Sequence, residues 1–221
     1  MSGLYFEADD IRIYHGDCRE ILPSIAAEAI VTDPVWPNVP PGLLAGSDRP
    51  AELLAEALDL ATMKRVVIQM GGNSDPRILA GVPRRFGFGR VCWLEYARPS
   101  YIGRYLNSAD VAYVFGEWPA SAPGRRVLPG KVTHTSQPRS RNGLPPRGVH
   151  PCPRVLSHVR WLVGWFGGAS VVDPFMGSGT TLLAAQDLGI PAVGIEVEER
   201  YCEAAAARLT GQQERLGIES A

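Results

Sequence analysis

Two short acid-proline turns hold the residues of this chain best suited to chemistry. The later one runs Val171-Val172-Asp173-Pro174-Phe175-Met176-Gly177-Ser178-Gly179-Thr180-Thr181. It reads as an apolar strand that ends in an acid, a glycine-rich turn, and a helix opening near Thr180. Glycine lets a ligand approach the backbone closely, and a helix start presents free N–H groups. A phosphate loop needs Lys-Ser or Lys-Thr after its last glycine, and a dinucleotide fingerprint needs a third glycine where Leu182 stands. Neither condition is met. Asp173, immediately before the turn, disfavours an anion and favours a cationic or amino-bearing ligand. The next strand ends Gly194-Ile195-Glu196, and Glu196 lies 17 residues beyond Gly179, where an acid can accept hydrogen bonds from ribose hydroxyls. The earlier turn, Ile30-Val31-Thr32-Asp33-Pro34-Val35-Trp36-Pro37, closes a second apolar strand in the same way. Two such turns in one α/β chain point to two halves of one site.

A ligand with a ribose, no phosphate and a positive charge fits S-adenosylmethionine. A plainer reading stays open: Asp173 caps the turn that follows it, Glu196 is a solvated strand end, and Asp33 is a strand-end acid beside a buried Trp36.

The elements that must carry these turns follow from periodicity. Residues 4–16 read as a strand pair turned at Ala8-Asp9-Asp10, and Cys18 to Ile25 as a short helix. Strands are expected over 29–32, 65–70, 90–96, 110–117, 170–173 and 191–196. Helices are expected over 49–63, 153–166, 180–188 and 198–209. Leu53, Leu54, Ala57, Leu58 and Ala61 supply the apolar face of the first. Val155, Leu156, Val159, Leu162, Val163 and Phe166 supply that of the second. Residues 33–49 are too rich in turn formers for regular structure. Strands alternating with helices predict an α/β fold, Rossmann-like and doubly wound, with a mostly parallel sheet. Residues 1–221 form one domain, and 118–150, which lack periodicity, form a long irregular insertion.

The chain has 221 residues, 45% of them hydrophobic and 20% charged, which is the composition of a globular domain. No apolar run is long enough to span a membrane, and the opening MSGLYFEADD carries acids where a secretory leader needs bases, so a cytoplasmic location is expected. Four cysteines without a C-x-x-C pair argue against a metal or disulfide framework. The net charge of −1 hides a segregated pattern. Between Trp118 and Val172 there are eight Lys and Arg and no Asp or Glu, an electrostatic footprint for a polyanion. The plainer reading is a solvated loop.

With these residues in place, DPFMGSGTT followed by GIEVEERYCEAAAARL resembles the cofactor half of the S-adenosylmethionine-dependent DNA amino-methyltransferases, the adenine-N6 and cytosine-N4 family, in the circularly permuted order of its β-group. Gly16-Asp17-Cys18 with Leu22-Pro23 resembles that family's opening. His150-Pro151-Cys152-Pro153-Arg154 resembles its HP-x-x-KP segment, and Trp93-Leu94-Glu95 and Val114-Phe115-Gly116 resemble two of its strands. The resemblance covers almost the whole chain except roughly 118–148. It implies a fold of the class I methyltransferase type. It implies cofactor contacts from Asp17, Cys18, Asp33, His150, Asp173, Pro174, Phe175, Gly177, Ser178, Gly179, Thr180, Thr181, Glu196 and Val197. Asp33, Pro34 and Trp36 would be catalytic, matching the family's Asp-Pro-Pro-aromatic loop except at Val35. The basic insertion, through Arg125, Arg126, Lys131, Arg139, Arg141 and Arg147, would meet double-stranded DNA. An Asp at the head of the loop implies adenine as the target, and the resemblance as a whole implies a role of the restriction-modification kind. The cytosine amino group, or a non-catalytic relative motivated by Val35, are the alternatives. A homodimer is implied because dimers are common in the group.

Overall fold

The structure is a computed structural model that describes residues 3–40, 42–121, 127–134 and 154–211. Among the described residues, nine strands form one sheet. They are β1 (Gly3–Ala8), β2 (Ile11–His15), β3 (Ala29–Thr32), β4 (Arg65–Met70), β5 (Phe88–Ile102), β6 (Tyr105–Gly116), β7 (Lys131–His134), β8 (Val171–Asp173) and β9 (Ala192–Glu196). Five helices accompany them: α1 (Cys18–Ile21), α2 (Pro50–Leu60), α3 (Leu156–Phe166), α4 (Thr180–Leu188) and α5 (Glu199–Leu209). The strand order is β1-β2-β9-β8-β3-β4-β6-β5-β7. From β2 to β4 every neighbouring pair is parallel, and antiparallel pairing enters at β1 and at the β5–β6 hairpin.

The central strands are mostly apolar because both their faces are covered. In β3, Ile30 faces a core built with α1 and α2, while Val31 faces one built with α3, α4 and α5. In β4, Val66, Ile68 and Met70 join the first core and Val67 the second. Helices on both faces make this the doubly wound α/β architecture that the alternation of elements predicts. None of the described helices is long and apolar enough to cross a membrane.

The differences from expectation are local and have causes. Helix α2 starts at Pro50, whose ring suits the first helical position, and ends at Leu60 because Ala61 is already extended. Helix α3 starts at Leu156, after an extended Val155. Strands β5 and β6 run well beyond the expected 90–96 and 110–117 and join in a hairpin. Their outer parts are polar or exposed on both faces, so they show no apolar alternation. A fourth difference lies inside the stretch read as irregular. Residues 131–134 form β7, parallel to β5 at the edge of the sheet. Four residues are too few for a period to register.

Candidate active site

The two acid-proline turns leave adjacent parallel strands. Ala29 pairs with Val171 and Ile30 with Val172, so β3 and β8 end side by side. Just beyond these pairs the strand ends are tied by side chains: the Thr32 hydroxyl donates to Asp173 Oδ1 at 2.7 Å. Ligand clefts of open α/β sheets lie beyond the C-terminal ends of such strands. The cleft found there is lined by Gly16, Asp17, Cys18 and Arg19 after β2, by Asp33 to Trp36 after β3, by Pro174 to Ser178 and Thr180 after β8, and by Ile195 to Glu198 at the end of β9. Leu44, Ala45, Gly46, Leu53, Arg154 and Tyr201 complete it.

Asp173 is buried and lies behind the turn, outside the lining. Besides Thr32, it accepts from the Phe175 N–H at 3.1 Å on Oδ1 and from the Thr181 hydroxyl at 2.6 Å on Oδ2. Three protein donors on one carboxylate make it the organiser of the turn, which is the plainer of the two sequence readings. Burial nevertheless raises its carboxyl to about 6, the three hydrogen bonds opposing the rise. Gly179 and Thr181 also stand behind the lining. Gly179 has φ +78, and a Cβ there would meet Ala205 Cβ of α5 at 2.7 Å, so backbone conformation and helix packing both require glycine. From below, the buried Arg208 of α5 donates to the Ser178 carbonyl, to Ser178 Oγ at 3.3 Å and to Thr180 Oγ1 at 3.1 Å.

Glu196 faces the cleft. Its Oε2 accepts from the Gly177 N–H and its Oε1 from the Glu198 N–H, both at 2.9 Å. These bonds fix the plane of the carboxylate and leave one lone pair on each oxygen for a ligand diol. Burial raises its carboxyl above the ordinary range. Asp17 caps α1 by accepting from the Arg19 N–H at 2.8 Å, and the hydrogen bonds from the Arg19 side chain hold its carboxyl low. Burial pushes the Cys18 thiol up to about 12, so it is an uncharged wall of the cleft, not a nucleophile.

Asp33, the acid of the earlier turn, has a partner that spacing did not predict. Arg154 donates from Nε to Asp33 Oδ2 at 2.6 Å and from Nη2 to Oδ1 at 2.7 Å. Its Nη1 reaches Asp110 Oδ2 at 3.0 Å, and the Tyr96 hydroxyl donates to the same oxygen at 2.8 Å. The guanidinium carbon lies 4.8 Å from the centre of the Trp36 ring. Burial raises the Asp33 carboxyl to about 6, Arg154 opposing the rise and Asp110 and Asp173 adding to it. In the sequence Arg154 stands in the segment that resembles HP-x-x-KP and counts among the cations of the basic stretch, and neither reading pairs it with Asp33. The signal that could have singled it out is the need of a buried acid for a counter-charge.

The other expected residues are scattered. Lys131 sits on β7 with its ammonium 3.3 Å from Glu95. Arg125, Arg126, Arg139, Arg141, Arg147 and His150 lie outside the described residues.

Comparisons with known proteins agree with this geometry. Residues 134–207 match a family model described as DNA methylase, of the N6/N4 type. The chain is 28% identical to the "Putative methylase YubD" of Escherichia coli (strain K12), over 93% of this chain and 92% of that protein. It is 42% identical to the type II methyltransferase M.SmaI of Serratia marcescens, over 26% of this chain and 20% of that one, so that likeness is confined to a segment. Among solved structures, M1.HpyAVI in complex with SAM superposes with TM-score 0.67 at 23% identity, covering 90% of this chain and 99% of that one. The cytosine-N4-specific PvuII DNA methyltransferase superposes with TM-score 0.67 at 19% identity, covering 96% and 95%. At such identities the superpositions speak for the fold.

Proposed function

We propose that the chain is a DNA methyltransferase of the N6/N4 type, which it resembles, and that it transfers a methyl group from S-adenosylmethionine to the exocyclic amino group of adenine in double-stranded DNA. The observation that carries this reading is the junction of β3 and β8, which opens the Asp33 loop and the glycine turn into one cleft. The residues there fit the cofactor. The lining is acidic, as a cationic ligand needs, and Glu196 offers two fixed acceptors to a ribose diol. Gly177, Ser178 and Thr180 would run beside the ligand, with Asp17 and Cys18 nearer its base. When bound, the cofactor supplies an electrophilic methyl on a sulfonium.

The chain's own residues perform the rest. The amino group of adenine is conjugated to its ring, so its lone pair is a poor nucleophile. The base must leave the helix to reach the cleft, and Trp36 gives its face a stacking surface. The Asp33 carboxylate and the Pro34 carbonyl accept the two N–H bonds, which draws the nitrogen toward tetrahedral geometry and frees the lone pair. The lone pair so freed would take the methyl that the bound cofactor supplies, the cofactor leaving as a neutral thioether, and the nitrogen's surplus proton would pass to Asp33 or to water. Rate comes from positioning and electrostatics. Val35 replaces a residue that stiffens the loop, and the three contacting groups are all retained.

Incubation with labelled S-adenosylmethionine and unmethylated DNA, followed by digestion to nucleosides, is expected to place the label in N6-methyladenine. Label in cytosine would move the target within the family. No transfer to DNA of any sequence would leave the chain a non-catalytic relative. The basic insertion is proposed as the DNA-reading segment, and a second copy of the chain would extend the duplex it can grip. Replacing Arg139 and Arg141 together by alanine is expected to lower the slope of log affinity against log salt by about 2. Titrations at several salt concentrations measure it, and an unchanged slope would place the duplex elsewhere.

A further inference from the structure

The Asp33 loop does not stand alone, because a cation 121 residues further along the chain grips it. We propose that Arg154 is a positioning residue that aims the Asp33 carboxylate into the cleft and preserves its charge, with Asp110 and Tyr96 anchoring the guanidinium from behind. The inference rests on the functional reading above and extends it to a residue of the cleft wall that acts through Asp33.

The geometry supports the role at each atom. Nε and Nη2 take one lone pair from each Asp33 oxygen, at 2.6 and 2.7 Å. A carboxylate oxygen has two lone pairs, so each keeps one for an amino group. The paired contact fixes the rotation of the carboxylate, which a single contact would not. Nη1 is held at 3.0 Å by Asp110, which is nearly fully buried and is itself held by Tyr96. Strand β6 continues past the end of β4 on the side where the cleft opens, and this overhang is what brings Asp110 there. The guanidinium also lies against Trp36, so one side chain braces both the acid and the ring of the loop.

Charge explains why the brace must be a cation. Asp33 faces Asp110 on β6 and Asp173 on β8, with Tyr96 on β5 and His158 on α3 nearby. Burial lowers the His158 ring to about 4, so it is neutral near pH 7. Arg154 is then the cation set among these acids. Without it Asp33 would take up a proton in the working pH range, and a protonated carboxyl presents a donor where the amino group needs an acceptor.

The test measures Asp33 directly by ¹³C NMR of its carboxyl, assigned by its loss in Asp33→Asn, alongside methyl transfer across pH. Arg154→Met is expected to move the Asp33 midpoint up by at least one pH unit and to cut kcat near pH 7 by about 30-fold or more. Raising the pH should recover part of that loss, and KM for S-adenosylmethionine should change less than threefold. Arg154→Lys keeps the charge and loses the fork, so it should leave the midpoint near that of the unaltered chain and restore part of kcat. Asp110→Asn keeps an acceptor for Nη1 and removes a like charge, so it should move the midpoint down. Its mild chemistry makes it informative even if Arg154→Met does not fold. An unmoved midpoint, shifts of the same sign in the two variants, or faster transfer without Arg154 would overturn the proposal; the last would make Arg154 a plug on the base site. If the unaltered chain fails to methylate DNA while the midpoints move as stated, the functional reading fails and the clamp stands.

Discussion

Asp33→Ala is expected to slow methyl transfer by two to three orders of magnitude while S-adenosylmethionine still binds within about tenfold of its original affinity. The magnitude is that of removing one preorganised group aimed at charge that develops in a transition state, on the order of 10²–10³-fold. Binding should survive because the glycine turn and Glu196 owe nothing to Asp33: their bonds run to Asp173, Arg208 and backbone N–H groups. Single-turnover rates with labelled cofactor, together with calorimetric titration of the cofactor, separate the two effects. Equal losses in both would make Asp33 a binding residue. The pH profile gives a second check. Burial raises the Asp33 carboxyl to about 6, so transfer should climb as pH rises through 6 and level off above it, where the carboxylate is free to accept. A profile flat between pH 5 and 7.5 would remove Asp33 from the rate-determining chemistry.

Asp173→Ala should act on the fold and the cofactor together. It leaves the Thr32 and Thr181 hydroxyls and the Phe175 N–H without their shared acceptor in a buried position. At 1–3 kcal/mol for each stranded group, the loss is about 3 kcal/mol or more. For a domain of this size it corresponds to a Tm drop of roughly 6–12 °C. Cofactor-induced thermal stabilisation should vanish, because the turn is no longer held open. Asp173→Asn retains one acceptor, and the threonine hydroxyls can rotate, so its cost should be smaller. That variant also tests the sign of the pH dependence. The folded chain holds the Asp173 proton up to about 6, against an ordinary 3.8, so this group's stabilisation is present below about 4 and lost as pH rises through 6. In Asp173→Asn that segment of the stability profile should flatten. A Tm change under about 2 °C in Asp173→Ala would show that the three donors find other acceptors.

These two acids also mark how far the sequence carries. Both turns were legible because an apolar run, an acid and a proline occur in immediate succession. The helices are legible because one face of each meets a core, and the central strands because each is a short apolar run covered on both sides. The role of Asp173 was legible only as a choice between ligand contact and brace, since an acid before a glycine turn looks the same in either case. Arg154 is legible as part of the segment resembling HP-x-x-KP, but its pairing with Asp33 is hidden by distance along the chain and by company. It lies 121 residues from Asp33 and among cations that read as a nucleic-acid footprint. Asp110 was hidden for a related reason, because a strand-end acid declares no partner until the overhanging hairpin brings it back over the cleft. Strand β7 was too short to show a period, and Lys131, expected to meet DNA, is spent in part on Glu95.

The hydroxyl of Thr32 on Asp173 acquires a mechanical meaning from where it sits. It ties the end of the strand that delivers Asp33 to the end of the strand that delivers the glycine turn. A strand advances about 3.3 Å per residue, and a slip of one residue would also turn every side chain to the opposite face. In-line transfer tolerates an error of only about 1 Å. The separation between the Asp33 loop and the glycine turn is therefore gauged by the sheet itself, with Thr32 as the stop that sets its zero.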